Sequence, residues 1–306
     1  MPRDFYFSTV KAILDDSLPY LCKALNCGEE QAFLRVRERL ELMRKEWFKK
    51  DPKIDYSDPT NRFAYTYFNV AIQGAICEQS LRMEPGLFGH VLDRARSSLS
   101  VCSVGGGPGS ELLGITNLLL DTAVTVGDVE LLVLDRVPTW VESYRSLSSV
   151  CRKSLRSKFG TANISHPFSI MDAFDPTSYK DYVQQFASMD VFIFNYVFSE
   201  NYARTNGLRP MIDHLVANAR PGCYFVVADR RQGNRELYDS VRSAFKHGLL
   251  TKVLDVRIAG EVDGGYSGLG RYHGAIGQPS PRKTFRWEDS GQGKVFGLVY
   301  RKSDQS

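Results

Sequence analysis

The stretch SVCSVGGGPGSELLG, residues 100–114, sets Gly105, Gly107 and Gly109 between an apolar run and a segment of helical composition. Glycines at alternate positions allow the backbone to approach a ligand closely, and the first turn of a following helix presents unpaired N–H groups to it. Such a turn suits a nucleotide-like molecule at the carboxyl end of a strand. The spacing removes two members of that class. A dinucleotide loop needs G-x-G-x-x-G, but the sixth position from Gly105 is Ser110, and the phosphate loop G-x-x-x-x-G-K-[ST] is absent. What is present is G-x-G-x-G. Asp135 closes the next apolar run, 26 residues beyond Gly109, where a carboxylate accepts ribose hydroxyls. On its own it is also a candidate helix N-cap, because Pro138 follows at an early helical position.

These residues need strands to hold them and helices to cover the strands. From about residue 98, short apolar runs alternate with helix-like segments: 99–105, 129–135, 164–172, 189–198 and 222–229. A sixth run, LTKVLDVRIAGEV, follows a further helix, and KVFGLVYRK comes near the end. That alternation predicts an α/β, Rossmann-like, doubly wound and mainly parallel sheet. The last two runs pair as an antiparallel hairpin, giving a terminal antiparallel edge strand. Residues 1–95 read instead as helices. EEQAFLRVRERLELMRKEWFKK carries Phe33, Val36, Leu40 and Met43 on one face, Asp58-Pro59 reads as a cap with proline at the first helical position, and Pro85-Gly86 ends the helix that follows. The expected division is an N-terminal helical lid or substrate region, 1–95, and a core, 96–306.

The glycine loop, the acidic end of the second strand and the order of elements over about residues 98–302 resemble the class I S-adenosylmethionine-dependent methyltransferases. The resemblance implies S-adenosyl-L-methionine as cofactor. Its carboxypropyl and ribose parts would lie along Gly105, Gly107 and Gly109, its ribose diol on Asp135 beside Arg136, and its adenine amino group at Asp172, with Ala173 and Phe174 adjacent. Asn195 would reach the cofactor from the fourth strand. Ser103 departs from the pattern, since many members carry an acid two residues before the first glycine. Glu111, just past the loop, either does a related job or leaves the methionine end to other groups. Asp172 has a competing reading, because Asp175-Pro176 next door forms a turn and cap.

The exit of the fourth strand, NYVFSE, is where the resemblance puts the methyl transfer. Amino-group methyltransferases commonly show [DN]-P-P-[YF] there, and the prolines are missing. Asn195 and Tyr196 are the catalytic candidates, as a hydrogen-bonding and a stacking group, with Phe198 as a substrate contact. The competing reading makes Phe192, Phe194, Tyr196 and Phe198 one face of a buried strand. Ser199, Glu200 and Asn201 lie where a general base would sit. Tyr65, before the core, and Arg271, in the Gly- and aromatic-rich stretch 263–287, are further substrate candidates; packing and a solvated connection are their plainer readings. His166, His214, His247 and His273 are bases by residue type alone. No cysteine stands near the exit for covalent catalysis. Direct displacement at a sulfonium needs proximity and deprotonation rather than a triad, and none is visible.

Composition bounds the rest. The chain has 306 residues, 43% of them hydrophobic and 24% charged, with formal net charge +4. That suits a folded protein with a large core and permits a polyanionic partner. The six cysteines include no CxxC pair, so buried thiols in a reducing compartment are expected and no metal site. No run is long and apolar enough for a bilayer, and the N-terminus has acids within its apolar stretch. The expectation is an intracellular protein, cytoplasmic or nuclear, without a membrane partner; the oligomeric state is not indicated. Acceptor classes are RNA (a ribosomal RNA base), a small molecule or a protein. RNA stands first because of the basic balance, the aromatic strand exit and Arg282-Lys283 in the late loop. The rivals are a non-catalytic methyltransferase-like interaction module, disfavoured by the intact glycine loop and ribose acid, and a nucleotide-dependent oxidoreductase.

Overall fold

A computed structural model of the chain describes residues 5–47, 49, 52–160, 163–165, 167–230, 235–258, 261–262, 266–277, 285–286 and 295–304. Its first part is helical: α1 (Phe5–Leu25), α2 (Glu29–Glu46), α3 (Pro59–Met83) and α4 (Pro85–Ala95). The Asp58 carboxylate accepts the Thr60 amide, so the Asp-Pro step starts α3 as its composition requires. Pro85 ends α3 and also opens α4, whose first turn is capped by the Glu84 carboxylate on the Leu87 amide. Helix α4 is an element that the break at Pro85-Gly86 does not announce. Helix α3 is buried nearly all round, with 20 of its 25 residues inside. No single apolar stripe can be read from such a helix, because it is covered on every side.

The second part begins with β1 (Ser98–Val104), α5 (Ser110–Asp121), β2 (Asp128–Asp135) and α6 (Trp140–Phe159). The run 164–172 divides into β3 (Asn163–Ser165) and β4 (Phe168–Ile170), both parallel to β2. Pro167 lies between them, has no N–H to give, and accepts the Val133 amide through its carbonyl. Next come α7 (Pro176–Tyr179), a 3-10 turn, α8 (Val183–Ser188) and β5 (Val191–Asn195). Strand β5 is shorter than the run 189–198. It stops at Asn195, and α9 (Val197–Glu200) follows at once, so the alternation of four aromatic residues on one strand holds only for Phe192 and Phe194. A second 3-10 turn leads to α10 (Leu208–Asn218), β6 (Tyr224–Arg230), α11 (Arg235–Ala244) and β7 (Leu250–Ile258). The short β8 (Glu261–Val262), α12 (Arg271–Ile276), β9 (Phe285–Arg286) and β10 (Val295–Lys302) complete the described elements.

The main sheet runs β3-β2-β1-β5-β6-β10-β7, with β4 also on β2. All pairings are parallel except those of β10, which is antiparallel to both β6 and β7. The antiparallel hairpin therefore closes one side of the sheet, with the C-terminal strand second and β7 outermost. Period-two alternation sorts the two faces. Val101, Leu131, Val133, Ile193 and Val226 face α5, α6 and the N-terminal helices, while Cys102, Leu132, Phe192, Phe194 and Phe225 face α8, α10 and α11. Helices α3 and α5 cross in close contact: a methyl on Gly114 would meet the Gly74 carbonyl oxygen at 2.3 Å. The N-terminal helices thus share one core with the sheet. No helix among the described residues is long and apolar enough to cross a membrane.

Candidate active site

Strand β1 is followed in the sheet by β2 on one side and β5 on the other, so the crevice beyond their carboxyl ends lies at the topological switch point. A cleft opens there. One wall is the glycine loop. Gly105, Gly107 and Gly109 all have positive φ, at 65°, 50° and 82°. At Gly107 an added Cβ would project into the gap between Trp140, 3.6 Å away, and the Asp135 carboxylate, 3.9 Å away. The missing side chain leaves that gap open. Asp135 Oδ2 accepts the Gly107 amide at 2.9 Å and Oδ1 accepts the Val137 amide at 2.8 Å. Helix α6 begins only at Trp140, after Thr139, so Asp135 is an anchor of the loop and not a helix cap. Burial pushes its carboxyl up to about 6, although both amides and Arg136 favour the charged form.

Around the rest of the cleft stand Arg136, Met171, Asp172, Ala173 and Phe174 from β2 and β4, and Asn195, Tyr196, Val197, Glu200 and Asn201 from the exit of β5. Asp172 Oδ1 accepts the Phe174 amide at 3.0 Å, and Oδ2 pairs with Arg204 at 2.7 Å. The turn at 196 is strained: Tyr196 has φ 62°, a left-handed conformation costly for an aromatic residue. Two bonds fix it. Its amide donates to the Ala228 carbonyl, and the fully buried Asp229 takes the Phe198 and Ser199 amides at 2.9 and 3.1 Å. The carboxylate at the end of β6 therefore sets where Glu200 stands.

The remaining wall comes from outside the sheet. Trp47, Tyr56 and Tyr65, with Trp140, form an aromatic group whose ring centroids lie 5.2–6.2 Å apart. The Tyr65 hydroxyl donates to Gln73 Oε1 at 3.0 Å, and the Gln73 carbonyl accepts Asn195 Nδ2 at 3.1 Å. Asn195 Oδ1 is buried and has no hydrogen-bond partner among the described residues. Arg230, at the end of β6, donates to the Trp47 carbonyl at 2.9 Å and lies over the Tyr196 ring, 5.2 Å from its centroid.

Of the candidates read from sequence, Tyr65, Gly105, Gly107, Asp135, Arg136, Asp172, Ala173, Asn195 and Tyr196 line this one cleft. Five others do not. Gly109 faces away from it: a Cβ there would strike the Tyr144 ring at 2.3 Å. Ser103 and Glu111 lie beneath the loop, 1% and 2% exposed. Burial pushes the Glu111 carboxyl up to about 7 against the pull of Ser103 and Asn195 beside it. Phe198 is turned by α9 into the opposite core, stacked on Phe194 at 5.5 Å. Arg271 pairs with Glu29 and Asp15 on the N-terminal helices and lies over Tyr272. His214 and His247 pack against Tyr179 and beside Asp213, and among the described residues no histidine lines the cleft. His166, Arg282, Lys283 and, within 263–287, residues 263–265, 278–284 and 287 lie outside the described residues.

Sequence reading misses Trp47, Tyr56, Trp140 and Gln73. Their only local signal is residue type, because four separate segments bring them together. It also misses Gly106, the glycine outside the G-x-G-x-G spacing, where a Cβ would lie 2.2 Å from Ser103 Oγ. That contact explains a small residue at 103: a larger side chain would enter the space under the loop.

No protein-family model and no curated protein matches the sequence. Among solved structures the chain is similar to a protein of Listeria monocytogenes described as a class I S-adenosylmethionine-dependent methyltransferase. The two share 13% identity, over 99% of this chain and 90% of that one, with a TM-score of 0.44. It is also similar to the N-methyltransferase NodS from Bradyrhizobium japonicum, in complex with S-adenosyl-L-homocysteine (13% identity, 86% and 98% of the chains, TM-score 0.37). A third is an S-adenosylmethionine-dependent methyltransferase from Methanosarcina mazei (9% identity, 67% and 92%, TM-score 0.41).

Proposed function

We propose that the protein is an S-adenosylmethionine-dependent methyltransferase. One observation carries the reading: the open gap at Gly107, between the Trp140 ring and the Asp135 carboxylate, at the switch point of a sheet ordered with β10 antiparallel between β6 and β7. The donor set fits the cofactor. Gly105 and Gly107 would carry its carboxypropyl and ribose parts, and Asp135 keeps free lone pairs for the ribose hydroxyls. Ala173 and Asp172 would meet the adenine, and Asn195 Oδ1 is an unpaired acceptor for the cofactor's amino end. When bound, the cofactor supplies an electrophilic methyl on a sulfonium. The chain's own groups would align the acceptor between Tyr65 and Tyr196 and exclude water with the aromatic wall. Helix α3 and the segment after α2 supply that wall, which is the role we assign to the 1–95 region beside the 96–306 core.

The acceptor classes read from sequence are an RNA base, a small molecule and a protein. Aromatic rings beside Asn195 and Glu200 support an acceptor that is planar or cationic where it reacts. Calorimetric titration with S-adenosylmethionine tests the reading. The wild type is expected to bind and Gly107→Arg to lose binding, while NADH and NADPH give no heat in the same cell. A wild type that fails to bind, or a variant that binds unchanged, defeats the assignment.

A further inference from the structure

The carboxylate of the half-buried Glu200 has no hydrogen-bond or ion-pair partner among the described residues, and its Oε1 is buried against the cleft wall. It is held there by construction, because Asp229 pins the two amides that begin its helical turn. Its charge bears on the hydroxyls of both Tyr56 and Tyr65. Arg230, the cation whose charge bears most on Glu200, donates through Nη1 to the Trp47 carbonyl and lies over the Tyr196 ring. A buried carboxylate left unpaired is costly. One in a cleft that aromatic rings also line supplies the two halves of an ammonium site: a counter-charge, and rings whose negative faces attract cations.

We propose that the methyl acceptor is a small basic amine, seated against Trp47, Tyr56 and Tyr65 with its nitrogen towards Glu200, and that Glu200 takes the ammonium proton. This rests on the methyltransferase reading and adds the substrate class and the base. An ammonium has no lone pair. Its proton passes to the Glu200 carboxylate and the N–H electron pair stays on nitrogen. That pair forms the new N–C bond to the methyl carbon as the C–S bond breaks, and sulfur keeps the C–S pair as a neutral thioether. The positive charge leaves on the methylated nitrogen, and the proton on Glu200 goes to solvent, one per methyl transferred.

Proton affinities favour an amine over a hydroxyl. Burial, with Asp229 and Asp135 adding to it, pushes the Glu200 carboxyl up to about 7 against the pull of Arg230 and Arg136. An alkylammonium near 10.4 lies within roughly three units of such a base. An alkyl hydroxyl, comparable to water at about 15.7, lies far beyond it.

The test is a calorimetric comparison of phenethylamine with its isostere 2-phenylethanol on protein saturated with S-adenosylhomocysteine, whose own affinity is measured first. The amine is expected to bind at least tenfold more tightly than the alcohol. Glu200→Gln should remove that preference while leaving the S-adenosylhomocysteine affinity close to wild type and the melting temperature no lower than wild type. Equal binding of amine and alcohol, no binding of the amine, or a preference that survives in Glu200→Gln overturns the inference. Preference for adenosine or cytidine over phenethylamine also overturns it, in favour of a nucleobase acceptor. If S-adenosylhomocysteine itself does not bind, the methyltransferase reading fails. The amine comparison on the free protein then still decides whether Glu200 forms an ammonium site.

Discussion

Asp135 holds the Gly107 amide: Oδ2 accepts it at 2.9 Å, and the same carboxylate accepts the Val137 amide through Oδ1. One side chain thus ties the glycine loop after β1 to the turn after β2, and the cleft lies between them. Asp135→Asn keeps the shape but gives up the charge and one acceptor. Losing a charge-assisted hydrogen bond costs about 1.5–3 kcal/mol, or roughly 10–100-fold in affinity. Calorimetry should show S-adenosylmethionine binding weakened by that factor. The wild-type affinity should also fall as pH drops through about 6, where the Asp135 carboxyl takes up its proton.

Glycines two residues apart in the loop should fail in different ways. A Cβ at Gly109 would lie 2.3 Å from the Tyr144 ring, and the backbone there is left-handed at φ 82°. Tyr144 cannot retreat, being buried with its hydroxyl on the Leu131 carbonyl at 2.8 Å. Gly109→Ala is expected to cost about 2–4 kcal/mol of stability from overpacking and backbone strain. Gly107→Ala meets only ordinary contacts and should cost about 1–2 kcal/mol for its φ, yet it fills the gap and should weaken cofactor binding tenfold or more. Denaturant unfolding and calorimetry on both variants separate the two roles.

That contrast shows how far the sequence can be read. Spacing alone makes Gly105, Gly107 and Gly109 equivalent, whereas the fold points one of them at a tyrosine from α6. The sheet is legible because burial on both faces leaves continuous apolar runs, and the helices between them supply crossovers. Strand ends are less so. Phe198 continues the pattern of Phe192 and Phe194 and yet lies on a helix, because Tyr196 turns the chain where Asp229 waits to accept two amides. The aromatic wall was the least readable part, since Trp47, Tyr56, Tyr65 and Trp140 carry no shared period and meet only in the fold.

Glu111 should make stability depend on pH. Its carboxyl titrates near 7 when folded against an ordinary value of 4.5, and burial is the main cause. Between those values the folded state holds a proton that the unfolded state has released, so stability falls as pH rises from about 4.5 to 7. Below 4.5 both states are protonated and nothing is lost; above 7 the loss is complete. At about 1.4 kcal/mol per unit the full effect is roughly 3–4 kcal/mol. Glu111→Gln imitates the protonated form. It should therefore gain little over wild type at pH 4.5 and about 3 kcal/mol at pH 8, as read from urea midpoints at both pH values.

The contact between α3 and α5 should link stability to the site. A Cβ on Gly114 would lie 2.3 Å from the Gly74 carbonyl oxygen, and neither backbone can move alone. Gly114→Ala must therefore press the helices apart, at about 1–3 kcal/mol for the overpacking, which offsets the usual helical gain from alanine. Gln73 is the neighbour of Gly74, and it holds the Tyr65 hydroxyl through its side chain and Asn195 Nδ2 through its carbonyl. The displacement is thus delivered to two walls of the cleft. Gly114→Ala is expected to lower the melting temperature and to weaken S-adenosylmethionine binding severalfold. Gly89→Ala, on α4 with nothing within 4 Å of its added methyl, is the control: it should gain about 0.5–1 kcal/mol and leave binding unchanged. A Gly114→Ala variant that melts lower but binds as wild type would separate the α3–α5 contact from the cleft.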